Sequence, residues 1–294
     1  MTDLKKKERV LLRESPVPKI SPTPLNPSGP FRSSEISIED VKAGIKGAIG
    51  REIFFYERVG STNTIAAELA EKGVSEGTVV LAECQEKGRG RLGRRWVSPS
   101  GVNIYMSIIV RPEVKPRDGQ FITMMAAIAC STALRKLTSL DVTVKWPNDL
   151  MVSGRKIGGI LTEMKISPRR VIYAIVGIGI NVNIDKSAFP SDIKERATSV
   201  KNETGLSYPR NAIIVEILNE ISQWYRTLKE KGKEILLSEW KRLTSTLGRE
   251  VKVTVGKEVF KGLAESIDDE GRLILRLPSG AVKRIRAGDI TILR

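Results

Sequence analysis

Hydrophobic and polar residues follow two periods along this chain, and each period predicts a different secondary structure. Short apolar or alternating runs between turn residues predict strands, and before residue 248 they cover residues 52–57, 78–83, 103–110, 142–146, 156–163 and 171–181. Apolar residues at helical spacing predict helices, over residues 38–45, from residue 62 onward, and over residues 120–137, 212–228 and 233–247. This mixture predicts an α+β fold in which helices flank a mixed β-sheet.

Both ends of the chain differ from this pattern. Four segments beyond Gly248 alternate in period two and predict a small antiparallel barrel, over residues 250–255, 258–266, 272–277 and 281–286. Six of the 14 prolines fall between Pro16 and Pro30, which predicts a disordered, proline-rich tail. The expected organisation is therefore a tail over residues 1–35, a larger domain over residues 36–247 and a β-barrel domain over residues 248–294.

Composition limits the class of protein. With 294 residues, 40% of them hydrophobic, the chain can bury a full core. No apolar run approaches the roughly 18 residues of a membrane span, and the first residues lack the features of a secretory signal. We therefore expect a cytoplasmic protein without membrane contact. The two cysteines, Cys84 and Cys130, are expected to be free thiols.

Charge and the absence of histidine limit the chemistry. The net charge of +15 raises the question of nucleic acid, but residues 1–50 and residues 248–294 contribute only +3 each. The remaining charge is densest between residues 87 and 95, a focus that a compact anionic ligand explains better than a long polyanion does. Because histidine is absent, a serine–histidine triad, a cysteine–histidine pair and a histidine-bound metal are excluded.

The densest basic segment is residues 88–96, which we call the basic loop and which reads Gly-Arg-Gly-Arg-Leu-Gly-Arg-Arg-Trp. Its glycine spacing matches a dinucleotide-binding fingerprint, but a strand rather than a helix is predicted to follow. An anion would therefore be held by the arginine side chains, whose planar forks fit carboxylate and phosphate. The alternative is a solvated basic hairpin loop.

Four other positions are candidates for ligand binding. Ser61, Thr62 and Asn63 precede a helix, so they either contact a ligand or only cap that helix. The strand over residues 171–181 contains glycines, which is consistent with the close approach of a ligand or of another backbone. Asn181, at the end of that strand, either binds a nucleotide or occupies a turn.

Lys145 and Asp149 flank the Trp-Pro-Asn sequence of a predicted bend. A lysine in this apolar strand can neutralise a carboxylate and a phosphate together, which favours a transition state in which two anions meet. The alternative is a lysine whose stem passes along a tryptophan to reach water. Asp149 either binds magnesium or caps the bend.

Five blocks occur together in an order and spacing that resemble the biotin–protein ligases: Ser61-Thr62-Asn63 with Gln85, the basic loop, Lys145 to Asp149, Gly158 to Leu161, and Gly177 to Asn181. The resemblance covers about residues 36–294 and is to the form without an N-terminal repressor domain. It implies the class II synthetase-like, biotin–lipoate ligase fold, followed by a small Src-homology-3-like barrel.

The same resemblance implies a function and a set of site residues. Such an enzyme activates biotin with ATP to biotinyl-5′-AMP and transfers biotin to a lysine of a biotin carboxyl carrier protein. The residues implied for biotin are Ser61, Thr62, Asn63, Gln85, Gly88, Arg89, Gly90, Arg91, Lys145, Gly158 and Gly159. Those implied for ATP are Arg89, Arg91, Arg94, Trp96, Lys145, Asn148 and Asn181. Lys145 and Arg91 would be catalytic.

The resemblance also bears on cofactors and partners. Mg²⁺ is expected with ATP, with Asp149 as one candidate ligand, and a homodimer through the central sheet is expected. Binding to DNA is not expected. Two alternative functions remain open. The first is a lipoate ligase or octanoyltransferase of similar fold, and the second is a protein that binds nucleic acid through its net charge of +15.

Overall fold

The first sheet places strands from distant parts of the chain side by side. This computed structural model describes residues 35–293, so the expected tail lies outside the described residues except for Glu35. The strands are β1 (Ile53–Val59), β2 (Val79–Gln85), β3 (Ile104–Val110), β4 (Thr143–Lys145), β5 (Asp149–Val152), β6 (Arg155–Ile166) and β7 (Val171–Ile180). Their order is β1-β2-β3-β7-β6-β5-β4. Only β1 and β2 pair in parallel, and the other neighbours are antiparallel, which confirms the predicted mixed sheet.

Helices cover both faces of this sheet. They are α1 (Ile38–Gly44), α2 (Thr62–Glu71), α3 (Gln120–Thr138), α4 (Val200–Thr204), α5 (Arg210–Lys231) and α6 (Lys233–Leu243). α3 packs against α5, α6 and β6 on one face, and α2 packs against β2, β3 and β7 on the other. The central strand β3 is buried at every position because both of its faces are covered. This confirms the expected α+β fold with flanking helices.

The second sheet is antiparallel throughout. Its strands are β8 (Glu250–Val255), β9 (Glu258–Ile267), β10 (Leu273–Arg276), β11 (Val282–Ile285) and β12 (Asp289–Ile292). The order is β11-β10-β9-β8-β12, so β11 and β12 are the two edges and do not pair within the described residues. The arrangement fits the expected Src-homology-3-like domain, but hydrogen bonds do not close the sheet into a barrel.

Three short elements differ from the sequence-based expectation. The pattern predicts that a strand ends at the bend after residue 146, but in the structure a further strand, β5, follows this bend. The pattern predicts neither α4 nor β12. Each contains only four or five residues, too few for a period to be recognised. In addition, α6 ends at Leu243, whereas the pattern extends to residue 247, because the chain there leaves the helix to lie along β4.

α3 is the longest apolar element of the larger domain. Within the described part of the chain, residues 116–138 are long and apolar enough to cross a membrane, but most of this segment is buried in the fold. This burial is that of a core helix, since α3 packs between the sheet and two other helices. Both cysteines are free, as predicted.

Candidate active site

The basic loop folds back on itself between β2 and β3. Gly90 donates its N–H to the carbonyl of Arg94 at 2.7 Å. The chain reverses at Leu92 and Gly93, whose φ values of 56° and 73° lie in the left-handed region. Because β3 follows rather than a helix N-terminus, the loop is not a dinucleotide-binding turn. Without a helix N-terminus, only the arginine side chains and the backbone N–H groups of the loop can bind an anion there.

A hydrogen-bonded network lies where α2 begins, against β2 and β3. Thr62 donates its backbone N–H to Gln85 Oε1 at 2.9 Å. Ser107 Oγ lies 2.8 Å from Thr62 Oγ1 and 2.6 Å from Asn63 Oδ1. Ser61 occupies the N-cap position of α2, yet its side chain makes no capping hydrogen bond. Side-chain capping therefore does not explain Ser61, and its hydroxyl is available for another partner.

Asn63 connects this network to β6 and to the basic loop. Its Nδ2 group donates to the Leu161 carbonyl at 3.2 Å and to Glu163 Oε2 at 2.7 Å. The same oxygen of Glu163 accepts a hydrogen bond from Arg89 at 2.8 Å. Because a carbonyl and a carboxylate can only accept hydrogen bonds, they fix the Asn63 amide with its Oδ1 toward Ser107.

Three glycines of β6 and β7, Gly159, Gly177 and Gly179, form a flat surface that we call the glycine floor. A Cβ at Gly177 would lie 2.2 Å from Asn63 Oδ1, and a Cβ at Gly179 would lie 2.6 Å from the Trp96 ring. The close approach expected from glycines in a strand is therefore made by side chains of the protein itself. The Trp96 Nε1 group is buried and has no hydrogen-bond partner among the described residues.

Two lysines converge on Asp149 beside Trp96. Lys156 Nζ lies 2.5 Å from Asp149 Oδ1, and Lys145 Nζ lies 3.1 Å from Oδ2. Lys145 also donates to the Ile290 carbonyl of β12 at 3.4 Å, and Lys156 Nζ lies 5.4 Å from the centroid of the Trp96 ring. Burial acts to raise the pKa of Asp149, but the two lysines outweigh it and hold this pKa below its ordinary value. The ionised carboxylate therefore keeps two ammonium groups together.

The second sheet reaches the basic loop through the segment that leads into β12. Arg91 donates to Asn148 Oδ1 at 3.1 Å and to the Gly288 carbonyl at 3.4 Å. Burial lowers the pKa of Arg91 below its ordinary value, although a guanidinium remains charged at neutral pH. Arg94 forms an ion pair with Asp289. The loop is thus held by residues of both sheet regions.

A cleft of about 680 Å³ opens between the basic loop, the start of α3, the second half of β6 and the second sheet. Four of the predicted substrate residues line it, namely Arg89, Gly90, Arg91 and Asn148. The network at the start of α2 reaches the same cleft through Glu163, which also lines it. The other predicted substrate residues, Lys145 and Trp96 among them, do not line this cleft.

Close contacts within the protein surround three of the predicted positions. Asn181 donates its Nδ2 to the carbonyl of Thr198 at 3.0 Å and is buried. A Cβ at Gly158 would meet a β7 side chain at 2.8 Å, and one at Gly88 would meet a loop carbonyl at 2.5 Å. Close packing therefore explains why glycine is present at positions 158 and 88, and the hydrogen bond to Thr198 explains the asparagine at position 181. A ligand-binding role for Asn181, Gly158 and Gly88 stays a prediction.

Comparison with known proteins identifies the family. A model of the biotin/lipoate A/B protein ligase family matches residues 55–181, and one of the biotin protein ligase C-terminal domain matches residues 246–293. The bifunctional ligase/repressor BirA of Bacillus spizizenii is 34% identical over 262 residues, which cover 89% of this chain and 80% of the relative. The chain belongs to the biotin protein ligase family. The biotin–[acetyl-CoA-carboxylase] ligase of Mycobacterium tuberculosis is 30% identical over 271 residues, 88% of this chain and 96% of that one.

A solved structure agrees with this assignment to the biotin protein ligases. The biotin protein ligase from Aquifex aeolicus, in complex with biotin and ATP, superposes with a TM-score of 0.70 at 30% identity. The match covers 83% of this chain and 99% of that one. The first family model also covers lipoate ligases, but the C-terminal model, the Mycobacterium relative and the Aquifex structure all carry the name of biotin ligases. The lipoate alternative is therefore the weaker one.

Three residues that contact predicted site residues are absent from the motif-based prediction. They are Ser107, Lys156 and Glu163, which contact predicted site residues as described above. A signal for Glu163 exists in the sequence, because every second residue of a strand shares one face and Glu163 is four residues after Gly159. Nothing in the sequence alone indicates that β3 places Ser107 beside the start of α2.

The donor set does not support a metal ion held by the protein alone. The described residues contain no group of three His, Cys, Asp or Glu side chains that could hold a metal. Both oxygens of Asp149, the predicted candidate, are paired with lysines. A ligase of this kind would receive Mg²⁺ together with the phosphates of ATP, as part of its substrate.

Proposed function

We propose that this ligase joins biotin to AMP and then transfers the biotinyl group to a lysine of a biotin carboxyl carrier protein. The observation that carries the proposal is the convergence of Lys145 and Lys156 on one carboxylate beside the glycine floor. Two ammonium groups there can receive the biotin carboxylate and the α-phosphate of ATP. Family membership supplies the substrate class.

The ring of biotin is recognised, in this proposal, at the start of α2. Its ureido group presents one carbonyl acceptor and two N–H donors. Ser61 contributes a hydroxyl without a capping partner, and Gln85 contributes an amide whose Nε2 already donates to Ser98 at 3.1 Å and has a second hydrogen to donate. Thr62 and Asn63 border the same space. These groups can satisfy both kinds of hydrogen bond.

In the first step a carboxylate oxygen of biotin attacks the α-phosphorus of ATP. A bond to this oxygen forms, the bond between the α-phosphorus and the bridging oxygen breaks, and pyrophosphate leaves. Two anions must meet, so Lys145 and Lys156 lower the barrier by neutralising them, and Arg91 adds a further cation from the basic loop. No proton has to be removed from biotin, which agrees with the absence of histidine from the sequence.

In the second step the amine of the carrier lysine attacks the acyl carbon of biotinyl-5′-AMP. An amide bond forms, the bond between the acyl carbon and the phosphate oxygen breaks so that AMP leaves, and one proton of the amine passes to water. The mixed anhydride would hydrolyse in water, so a basic loop that covers it protects the intermediate. Trp96, Asn148, Arg94 and Asn181 are proposed for the nucleotide, and the loop residues Arg89 and Gly90 for both ligands.

Several further features are part of the same proposal. We propose the division into a catalytic domain over residues 36–247 and a C-terminal domain over residues 248–294. A cytoplasmic location, a homodimer through the central sheet and activity without DNA binding are proposed from the resemblance. The Bacillus relative is named as a repressor as well as a ligase, and we do not propose repression for this chain.

Calorimetric titration and a labelling assay test the proposal. We expect biotin to bind without ATP, and we expect ATP with a purified apo carrier domain to give a covalent biotinyl adduct on one lysine, detected by mass spectrometry. Lipoate and octanoate, tested in parallel, should give no adduct. Absence of biotin binding, or preferential transfer of lipoate or octanoate, would contradict the proposed function.

A further inference from the structure

Asn63 occupies a position in which every polar atom of its amide is already engaged by the protein. Its Nδ2 group donates to Leu161 and Glu163, and its Oδ1 faces Ser107. The residue is only 4% exposed. Because these bonds fix the amide, the second lone pair of Asn63 Oδ1 can face a ligand in one direction only.

The hydroxyl of Ser107 completes this arrangement by proton counting. A hydroxyl has one proton, and Asn63 Oδ1 is an acceptor, so the Ser107 proton must point to Asn63 across the 2.6 Å contact. The Thr62 hydroxyl has two acceptors for its own single proton, which are Ser107 Oγ at 2.8 Å and Gln85 Oε1 at 3.2 Å. Ser107 is completely buried, so no water competes for the bond to Asn63. One serine of β3 therefore sets the direction of the Asn63 amide.

Glu163 acts on the other side of the same amide. One carboxylate oxygen, Oε2, accepts both from Asn63 and from Arg89 of the basic loop, at 2.7 and 2.8 Å. Bonds to an ionised acceptor are stronger than neutral ones. The carboxylate therefore links the ring-binding network to the loop that covers the ligand.

We propose that Glu163 and Ser107 are positioning residues, which hold the Asn63 amide in its binding orientation and couple biotin recognition to ordering of the basic loop. The inference rests on the proposed function, because it concerns the biotin site of that reaction. Neither side chain touches the reacting atoms. Both act through Asn63, and Glu163 also acts through Arg89.

Two variants test the assignment, with one matched control. Glu163→Gln removes the charge but keeps the size of a side chain that is partly exposed, and Ser107→Ala removes the buried hydroxyl. Glu71→Gln is the control, since Glu71 also pairs with a cation of β6, Lys165, outside the site. Thermal unfolding confirms that each variant is folded.

Calorimetry and steady-state kinetics provide the first readout. We expect Glu163→Gln and Ser107→Ala to raise Kd and KM for biotin about tenfold, because a bond to a charged or fully buried partner is lost. KM for ATP should change less than about twofold, and Glu71→Gln should match the parent protein. In an Asn63→Ala background, Glu163→Gln should have a smaller further effect on Kd for biotin than in the parent protein, because only the contact of Glu163 with Arg89 then remains.

Trypsin cleavage of the basic loop, which contains four arginines, provides the second readout. Saturating biotin should slow cleavage of the parent loop and should slow it less in Glu163→Gln. Equal affinity for biotin in parent and Glu163→Gln, or additive effects of Asn63→Ala and Glu163→Gln, would overturn the assignment while leaving the proposed function intact. A parent protein that does not bind biotin would overturn both.

Discussion

Arg94 of the basic loop forms an ion pair with Asp289 of β12, so the second sheet holds a loop that connects two strands of the first sheet. The Arg94 side chain is 68% exposed, and exposed pairs stabilise a fold by at most about 1 kcal/mol. The effect of this pair is therefore on the loop rather than on global stability. It gives the second sheet a direct influence on the cleft.

Breaking this pair should release the loop without unfolding the protein. We expect Asp289→Asn to leave the melting temperature nearly unchanged and to increase escape of biotinyl-5′-AMP into solution severalfold, because a less ordered loop protects the intermediate less well. Rapid-quench measurement of free and bound intermediate checks this. Glu265→Gln, which breaks an ion pair with Arg276 within the second sheet, should show parent rates, and equal escape from both variants would contradict the prediction.

The contact between Trp96 and the glycine floor gives a second prediction. A Cβ at Gly179 would lie 2.6 Å from the Trp96 ring, so Gly179→Ala must displace this ring. We expect adenylate formation to slow by about 10²-fold, since a displacement of about 1 Å at a reacting site has an effect of that size. Gly60→Ala is the control, because a Cβ there meets nothing within 4 Å. Pyrophosphate release measures the rate.

The two lysines that share Asp149 should both be needed for the first step. We expect Lys145→Ala and Lys156→Ala each to slow adenylate formation by about 10²-fold, because each removes a cation from the meeting point of two anions. Lys165→Ala is the control, because Lys165 lies on β6 like Lys156 but pairs with Glu71. This variant should leave the rate unchanged. Single-turnover kinetics distinguish the outcomes. A loss confined to transfer onto the carrier would contradict the assigned role.

The lowered pKa of Asp149 predicts a dependence of stability on pH. Burial opposes ionisation, but Lys156 and Lys145 hold the folded pKa below its ordinary value. The ionised carboxylate therefore stabilises the fold fully when the pH is above the pKa of Asp149 in the unfolded chain, about 3.9. This stabilisation is lost as the pH falls through the pKa of Asp149 in the folded protein. Urea unfolding at pH 3 to 7 should show the parent's advantage over Asp149→Asn shrinking below about pH 4. A difference that stays constant with pH would contradict this.

A buried ion pair supports β2 behind the site. Arg210 and Glu83 form two hydrogen bonds at 2.9 and 3.0 Å, and Arg210 is 1% exposed. Arg210→Met should lower the free energy of unfolding by about 3–5 kcal/mol, because it leaves a buried carboxylate without its cation. Arg242→Met breaks an exposed pair with Glu239 and should lower it by less than about 1 kcal/mol. Denaturant titration checks both, and equal losses would show that burial does not matter here.

Local pattern was sufficient for most elements and for the motifs. Strands such as β3 and β7 are continuous apolar runs, and α3 has a clear helical period, so each is recognisable without knowledge of its neighbours. β5 and β12 are four-residue strands whose existence depends on a pairing partner distant in sequence or across a tight bend. For such short strands, the tertiary pairing decides the structure.

The residue types that the chemistry needs are visible in the sequence: a glycine-rich basic loop, Lys145, the Ser61-Thr62-Asn63 helix start and no histidine. Their neighbours become visible only in the fold, where Lys156 shares Asp149 with Lys145, and Ser107 and Glu163 enclose Asn63. The physical reason is that strand period assigns a residue to a face of a sheet, whereas strand order and register assign its neighbours. The order β3-β7-β6 arises from packing of the whole core, which no local pattern contains.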